Sequence, residues 1–143
     1  MDFLTQAVAT VANADHAPLE AFDDPRHGTV QWRTLFSGDR TQTSSLTLGV
    51  AEFGPAGTLH SHRHSPCEFY FCLSGQGIVT IDGIDHDLRP GVALYIPADA
   101  EHCVVAGEDG LRFLYGFPQD RFSDVDYRFS AEADPVLQAA VAI

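Results

Sequence analysis

Gly57-Thr-Leu-His-Ser-His-Arg-His-Ser-Pro-Cys-Glu68 sets three histidines, His60, His62 and His64, at alternate positions and brings a glutamate four residues after the last. Side chains on a strand alternate between faces, so His62 and His64 project to one side. The short connection that follows lets Glu68, at the start of the next strand, approach the same point. A second block, Gly91-Val-Ala-Leu-Tyr-Ile-Pro-Ala-Asp-Ala-Glu-His102, delivers one more imidazole from a distant strand. Three neutral imidazoles and a carboxylate form a site for one divalent first-row metal, with positions left for water or substrate. This donor set accepts iron, manganese, nickel, cobalt or zinc alike. A histidine by itself is ordinarily a surface or hydrogen-bonded core residue, and His16, His27 and His86 are read so. Joint spacing lifts His62, His64, Glu68 and His102 out of that class. His60 is read as outer shell or cavity mouth, because pairing it with His62 would leave five residues before Glu68.

Outward from this segment the pattern is of short strands. Apolar or alternating runs occupy 30–36, 45–53, 68–73, 77–81, 92–96, 104–105 and 111–117. Turn residues separate them: Ser37-Gly38-Asp39, Gly54-Pro55, Ser74-Gly75, Arg89-Pro90-Gly91 and Glu108-Asp109-Gly110. Asp82-Gly83 between Ile81 and Ile84 is a two-residue hairpin signal. Strands recurring at roughly 8–12 residue intervals predict an all-β sandwich or barrel. Ahead of them, Leu4, Ala7, Val8 and Val11 have helical spacing, which predicts a short N-terminal helix within residues 1–14. The expected division is an N-terminal helix and loop over 1–29, a barrel over 30–129 and a C-terminal tail over 130–143, helical or frayed.

Composition narrows the function. The 143 residues suit one domain, and 45% of them are hydrophobic, enough for a core. Acidic residues number 20 against 8 basic ones, all arginine, for a net charge of −12. That balance repels a phosphate backbone, so no nucleic-acid partner is expected. The absence of lysine removes Schiff-base chemistry. Met1-Asp-Phe has no basic n-region, and no apolar run approaches the ~20 residues of a span, so neither leader nor membrane association is expected. Three cysteines (Cys67, Cys72 and Cys103) without a Cys-x-x-Cys spacing argue against a disulfide scaffold and for a reducing cytoplasm.

The two histidine blocks resemble the two motifs of the cupin superfamily, with Gly75 in its place after the first, over roughly residues 50–106. The resemblance implies a single-domain cupin, a double-stranded β-helix or jelly-roll barrel with the metal inside. Two features depart from the usual pattern: the glycine before the histidine pair is one residue closer, and Asp99 and Ala106 stand for the common glycine and asparagine. Neither replaces a ligand. Within the superfamily, Glu68-Phe-Tyr70, the 34-residue step to His102, the compact length and Trp32-Arg-Thr-Leu-Phe36 resemble the small cupin-type dimethylsulfoniopropionate (DMSP) lyases. The resemblance implies a metal-dependent enzyme that yields acrylate and dimethyl sulfide, with Tyr70 catalytic and a second tyrosine, Tyr127 or Tyr115, assisting. It also implies a homodimer, for which the outward Phe69 and Phe71 are suited.

Physical chemistry fits that expectation. Strand parity puts Tyr70 and Cys72 on the Glu68 face and Phe69, Phe71 and Leu73 on the other. A phenol near a divalent cation can have its pKa drawn below ~10 and serve as a base. A tyrosine whose hydroxyl only forms a hydrogen bond is the bland alternative. The sulfonium could rest against aromatic faces, worth ~0.5–2 kcal/mol, with Trp32, Phe53 and Tyr95 as expected walls and Tyr127 as a further substrate contact. An iron-dependent cupin dioxygenase, consuming oxygen, and a non-catalytic small-molecule-binding cupin are the alternatives that the same ligand set admits.

Overall fold

Two long strands organise the chain. In the computed structural model, which describes residues 8–133, the sheet is built from β1 (Glu20–Ala21), β2 (Gln31–Phe36), β3 (Thr47–Phe53), β4 (Thr58–Arg63), β5 (Glu68–Ile81), β6 (Ile84–Leu88), β7 (Ala93–Ile96), β8 (His102–Phe117) and β9 (Arg128–Phe129). A single helical turn, α1 (Ser130–Ala133), follows. β5 and β8 pair antiparallel twice, Phe69–Cys72 against Phe113–Gly116 and Gly77–Ile81 against His102–Ala106. Around the first stretch lie β1, β2 and β3 on one side and β7 on the other; around the second lie β4 and β9 on one side and β6 on the other. The two half-sheets share β5 and β8 and curl over one another, which makes the all-β barrel that the motifs imply.

Gly75 and Gly110 were expected to end strands, and instead they bend them. Both have left-handed backbones, φ +74° and +76°, and the β5–β8 register shifts beside Gly75. A Cβ on Gly75 would overlap the Gly110 carbonyl, so the two backbones approach more closely than any side chain permits. The result is a pair of bulges that carry each strand from one half-sheet into the other. The expected runs 68–73 and 77–81 are therefore one strand, and so are 104–105 and 111–117. Asp82 and Gly83, at φ +47° and +80°, do form the hairpin, with Ile81 paired to Ile84.

Between the half-sheets sit Val79, Leu88, Ile96, Val104, Phe113 and Phe117, all essentially without solvent contact. Burying such a side chain contributes about 1.5–3 kcal/mol each, so the barrel interior is the main source of stability. Residues 8–13 are not helical; Asn13 instead caps one 3-10 turn, Ala14–His16, through its side chain. With no buried residue in that turn, nothing rewards a longer amphipathic face there. The Leu4 and Ala7 part of the expected helix lies outside the described residues, as does the tail beyond Ala133. Among the described residues no helix is long and apolar enough to cross a membrane.

Candidate metal centre

β4 and β8 run side by side, and His62 is the cross-strand partner of His102. A bulge between Leu59 and His62 breaks the alternation, so Leu59 and His62 are both buried while His60 is exposed. His60 thus points outward, and it serves through its carbonyl, which accepts from His62 Nδ1 at 2.8 Å. In the same way His64 Nδ1 donates to the Pro66 carbonyl at 2.8 Å and His102 Nδ1 to the Ala100 carbonyl at 2.9 Å. A carbonyl only accepts, so each Nδ1 carries a proton; His62 and His102 can then present an Nε2 lone pair, while His64 Nε2 faces the Glu68 carboxylate at 3.1 Å.

The ligand atoms of His62, His64 and His102 lie within 4.8 Å of one another, and all three rings are buried. Among the described residues, His62 Nε2 and His102 Nε2 have no hydrogen-bond partner. Leaving a buried polar atom unpaired costs about 1–3 kcal/mol, and two such lone pairs aimed at one point fit a metal ion. The buried triad is thus able to bind a metal. Glu68, buried at the start of β5, places Oε1 3.1 Å from His64 Nε2 and 3.4 Å from His102 Nε2. Burial, with the charge of His102 second, holds His62 well below its ordinary pKa and keeps it neutral. For His64 burial works in the same direction, but the hydrogen bond and charge of Glu68 outweigh it and raise the pKa.

Beyond Glu68 the barrel interior opens into a cavity. Tyr70 and Tyr115, cross-strand partners, form one wall with Phe113. Phe22, Trp32, Phe122 and Tyr127 line it as well. These four rings touch in a circuit: Phe22 to Trp32 at 4.8 Å, Trp32 stacked on Phe122 at 5.9 Å, Phe122 on Tyr127 at 6.0 Å, and Tyr127 edge-on to Phe22 at 5.9 Å. The Tyr127 ring also stands 5.3 Å from His62 and 5.4 Å from His64, so it spans the aromatic wall and the imidazoles. Burial, then the Glu68 carboxylate, raises the pKa of Tyr70, Tyr115 and Tyr127 above the ordinary phenol value. Tyr115 Oη is buried with no hydrogen-bond partner in standard geometry among the described residues.

The structure thus brings His62, His64, Glu68, His102, Tyr70, Trp32 and Tyr127 to one place and leaves two expected residues out. Tyr95 is 67% exposed on the outer surface. Its partner across β5–β7 is Phe69, and cross-strand partners share a face, so an outward Phe69 fixes an outward Tyr95. Phe53 is core, packed 5.6 Å from Phe113 rather than on the cavity wall. Phe22 and Phe122 are the wall residues that the sequence did not reveal. Each comes from a segment without motif or periodicity, and only the packing of those two segments against the barrel places them.

Residues 49–115 match the cupin domain. DMSP lyase DddW of Ruegeria pomeroyi is 54% identical over 121 residues, which span 85% of this chain and 80% of that one. A chain from the crystal structures of the DMSP lyases RdDddP and RnDddQII superposes with a TM-score of 0.69 at 25% identity over 80% of this chain; the present chain spans 63% of its length. The polyketide cyclase RemF from Streptomyces resistomycificus gives a TM-score of 0.72 at 19% identity, covering 92% of this chain and 98% of its own, and that likeness concerns the fold alone. Together with the barrel and its buried histidine triad, these likenesses show that the chain belongs to the cupin family.

Proposed function

We propose that this chain is a metal-dependent carbon–sulfur lyase that splits DMSP into dimethyl sulfide and acrylate. One observation supports it most: the cavity lined by the Tyr70 phenol and a circuit of four aromatic rings is also lined by Glu68, whose Oε1 lies 3.1 Å from His64 Nε2 and 3.4 Å from His102 Nε2. The 54% identity to DddW supports the choice of substrate. His62, His64, His102 and Glu68 would hold one divalent ion of the iron, manganese, nickel, cobalt or zinc series. When bound, such an ion supplies Lewis acidity toward the substrate carboxylate and a positive charge that favours the ionised form of a nearby phenol.

The chain's own residues do the rest. Tyr70 Oη accepts the proton from the carbon next to the carboxylate. The electrons of that C–H bond form the new double bond, the C–S bond breaks, and its electron pair leaves with sulfur as neutral dimethyl sulfide. Trp32, Phe122, Phe22 and Tyr127 face the sulfonium, where cation–π attraction is worth ~0.5–2 kcal/mol. Closure of the cavity by these rings keeps water from the reacting carbons.

Two further assignments accompany this one. The outward, partly exposed Phe71, Leu73 and Tyr95 on neighbouring strands form the face on which a second copy would pack as a homodimer, a state that light scattering on the purified chain would detect. The three free cysteines suit a reducing cytoplasm.

The test is headspace gas chromatography on purified protein reconstituted separately with each metal and given DMSP without oxygen. Dimethyl sulfide with matching acrylate, abolished by chelator and restored by metal, is the expected result. No product with any metal would overturn the lyase proposal.

A further inference from the structure

Tyr127 sits in an irregular segment, yet its ring is held over two of the three imidazoles. Its neighbours explain how. Asp126, on one side, accepts from Ser65 twice: the Ser65 backbone N–H donates to Oδ1 at 2.7 Å and its hydroxyl to Oδ2 at 2.6 Å. Ser65 directly follows His64. Arg128, on the other side, donates through Nη2 to the Asp99 carboxylate. Asp99 belongs to the loop that leads into His102, and its own N–H donates to the His64 carbonyl at 3.0 Å. Arg63, also beside a ligand, donates to the Asp99 carbonyl at 3.0 Å. Arg128 Nε and Asp126 Oδ2 are 3.6 Å apart, so the links form a closed circuit. It runs from Ser65 through Asp126, Arg128 and Asp99 to the His64 backbone, with Tyr127 inside the span.

The residue at 99 matters for this arrangement. Its φ is +61°, a backbone that glycine takes freely and aspartate tolerates better than most. A glycine there would keep the turn and lose the carboxylate that holds Arg128. All three charged side chains are about half exposed or more, so their pairing adds little to stability. What the circuit does provide is geometry.

We propose that Asp126, Arg128 and Asp99, with Ser65, are positioning residues that fix Tyr127 against the metal-ligand loops, so that the aromatic wall and the metal centre keep one register. The kinetic part of this proposal rests on the lyase assignment; the structural part does not.

Four variants test it: Asp126→Ala, Asp126→Asn, Tyr127→Leu and the double Asp126→Ala/Tyr127→Leu. Asparagine retains an acceptor for the Ser65 N–H and a polar partner for its hydroxyl. The expected result is a fall in kcat/KM of about tenfold in Asp126→Ala, since small misplacements of a substrate contact are costly, with bound metal and Tm close to wild type. Asp126→Asn recovers most of that loss. On the Tyr127→Leu background, Asp126→Ala costs nothing further, because the clamp then has nothing to hold.

A second readout needs no turnover. Trp32, the one tryptophan, stacks on Phe122, which stacks on Tyr127. Quenching of its fluorescence by a neutral quencher in the metal-free protein should rise in Asp126→Ala and return in Asp126→Asn. Wild-type quenching in Asp126→Ala, or an undiminished kinetic loss on the Tyr127→Leu background, would overturn the proposal. Failure of the lyase assignment would show separately, as wild-type protein that releases no dimethyl sulfide while the fluorescence arm still reads the clamp.

Discussion

The two ends of the cavity are built in different ways. At the imidazole end, His62, His64 and Glu68 come from β4, β5 and the short turn between them, and His102 from the strand paired with β4. Each Nδ1 is anchored on a carbonyl only two residues away in sequence. At the aromatic end, Phe22 and Trp32 come from the first part of the chain, Phe122 and Tyr127 from the last, and they meet only because both segments close over the barrel. Local spacing orients the first group, whereas tertiary packing orients the second. Substitutions at the imidazole end should therefore remove the cofactor, and substitutions at the aromatic end should alter how substrate is held.

The sharpest separation comes from the ligands. His62→Ala and His102→Ala should each reduce bound metal to a small fraction of one ion per chain, seen by elemental analysis, and abolish turnover. A variant that kept its metal would mean that the triad is not the site. Next in size, Phe122→Leu should leave metal content unchanged and raise KM for DMSP by about two- to thirtyfold, in keeping with a cation–π contribution of ~0.5–2 kcal/mol. An unchanged KM would remove the sulfonium wall while sparing the metal centre. Smallest of all, Tyr95→Ser should leave kcat/KM within about twofold of wild type, as expected for a surface change remote from the cavity. A large loss there would mean that the outer face communicates with the site.

This contrast also explains what the sequence revealed. Strand alternation and two spaced blocks pointed to His62, His64, Glu68 and His102, because each block keeps its own short spacing, whereas Tyr70 was picked out by the resemblance to the DMSP lyases. Tyr95 was legible in principle: an outward Phe69 across the β5–β7 pair would have placed it, but that register had to be known. His60, read as outer shell or cavity mouth, supports His62 through its carbonyl, a backbone contact that residue spacing does not reveal. Gly75 and Gly110 carry an ordinary turn signal, and only their mutual approach across β5 and β8 turns that signal into a bend within continuous strands. Phe22 and Phe122 had no local signal at all. The Asp126–Arg128 circuit was likewise hidden, because its partners lie 61 and 29 residues away along the chain.

Tyr70 is where the two ends meet, on the Glu68 face of β5 and on the wall of the cavity. The most direct measurement compares wild type and Tyr70→Phe in matched samples, counting metal ions per chain and dimethyl sulfide released from DMSP. The account predicts equal metal and a loss of turnover of about 10²–10⁴-fold, the range by which a positioned acid–base group speeds a proton transfer. Full activity in Tyr70→Phe with metal in place would contradict it.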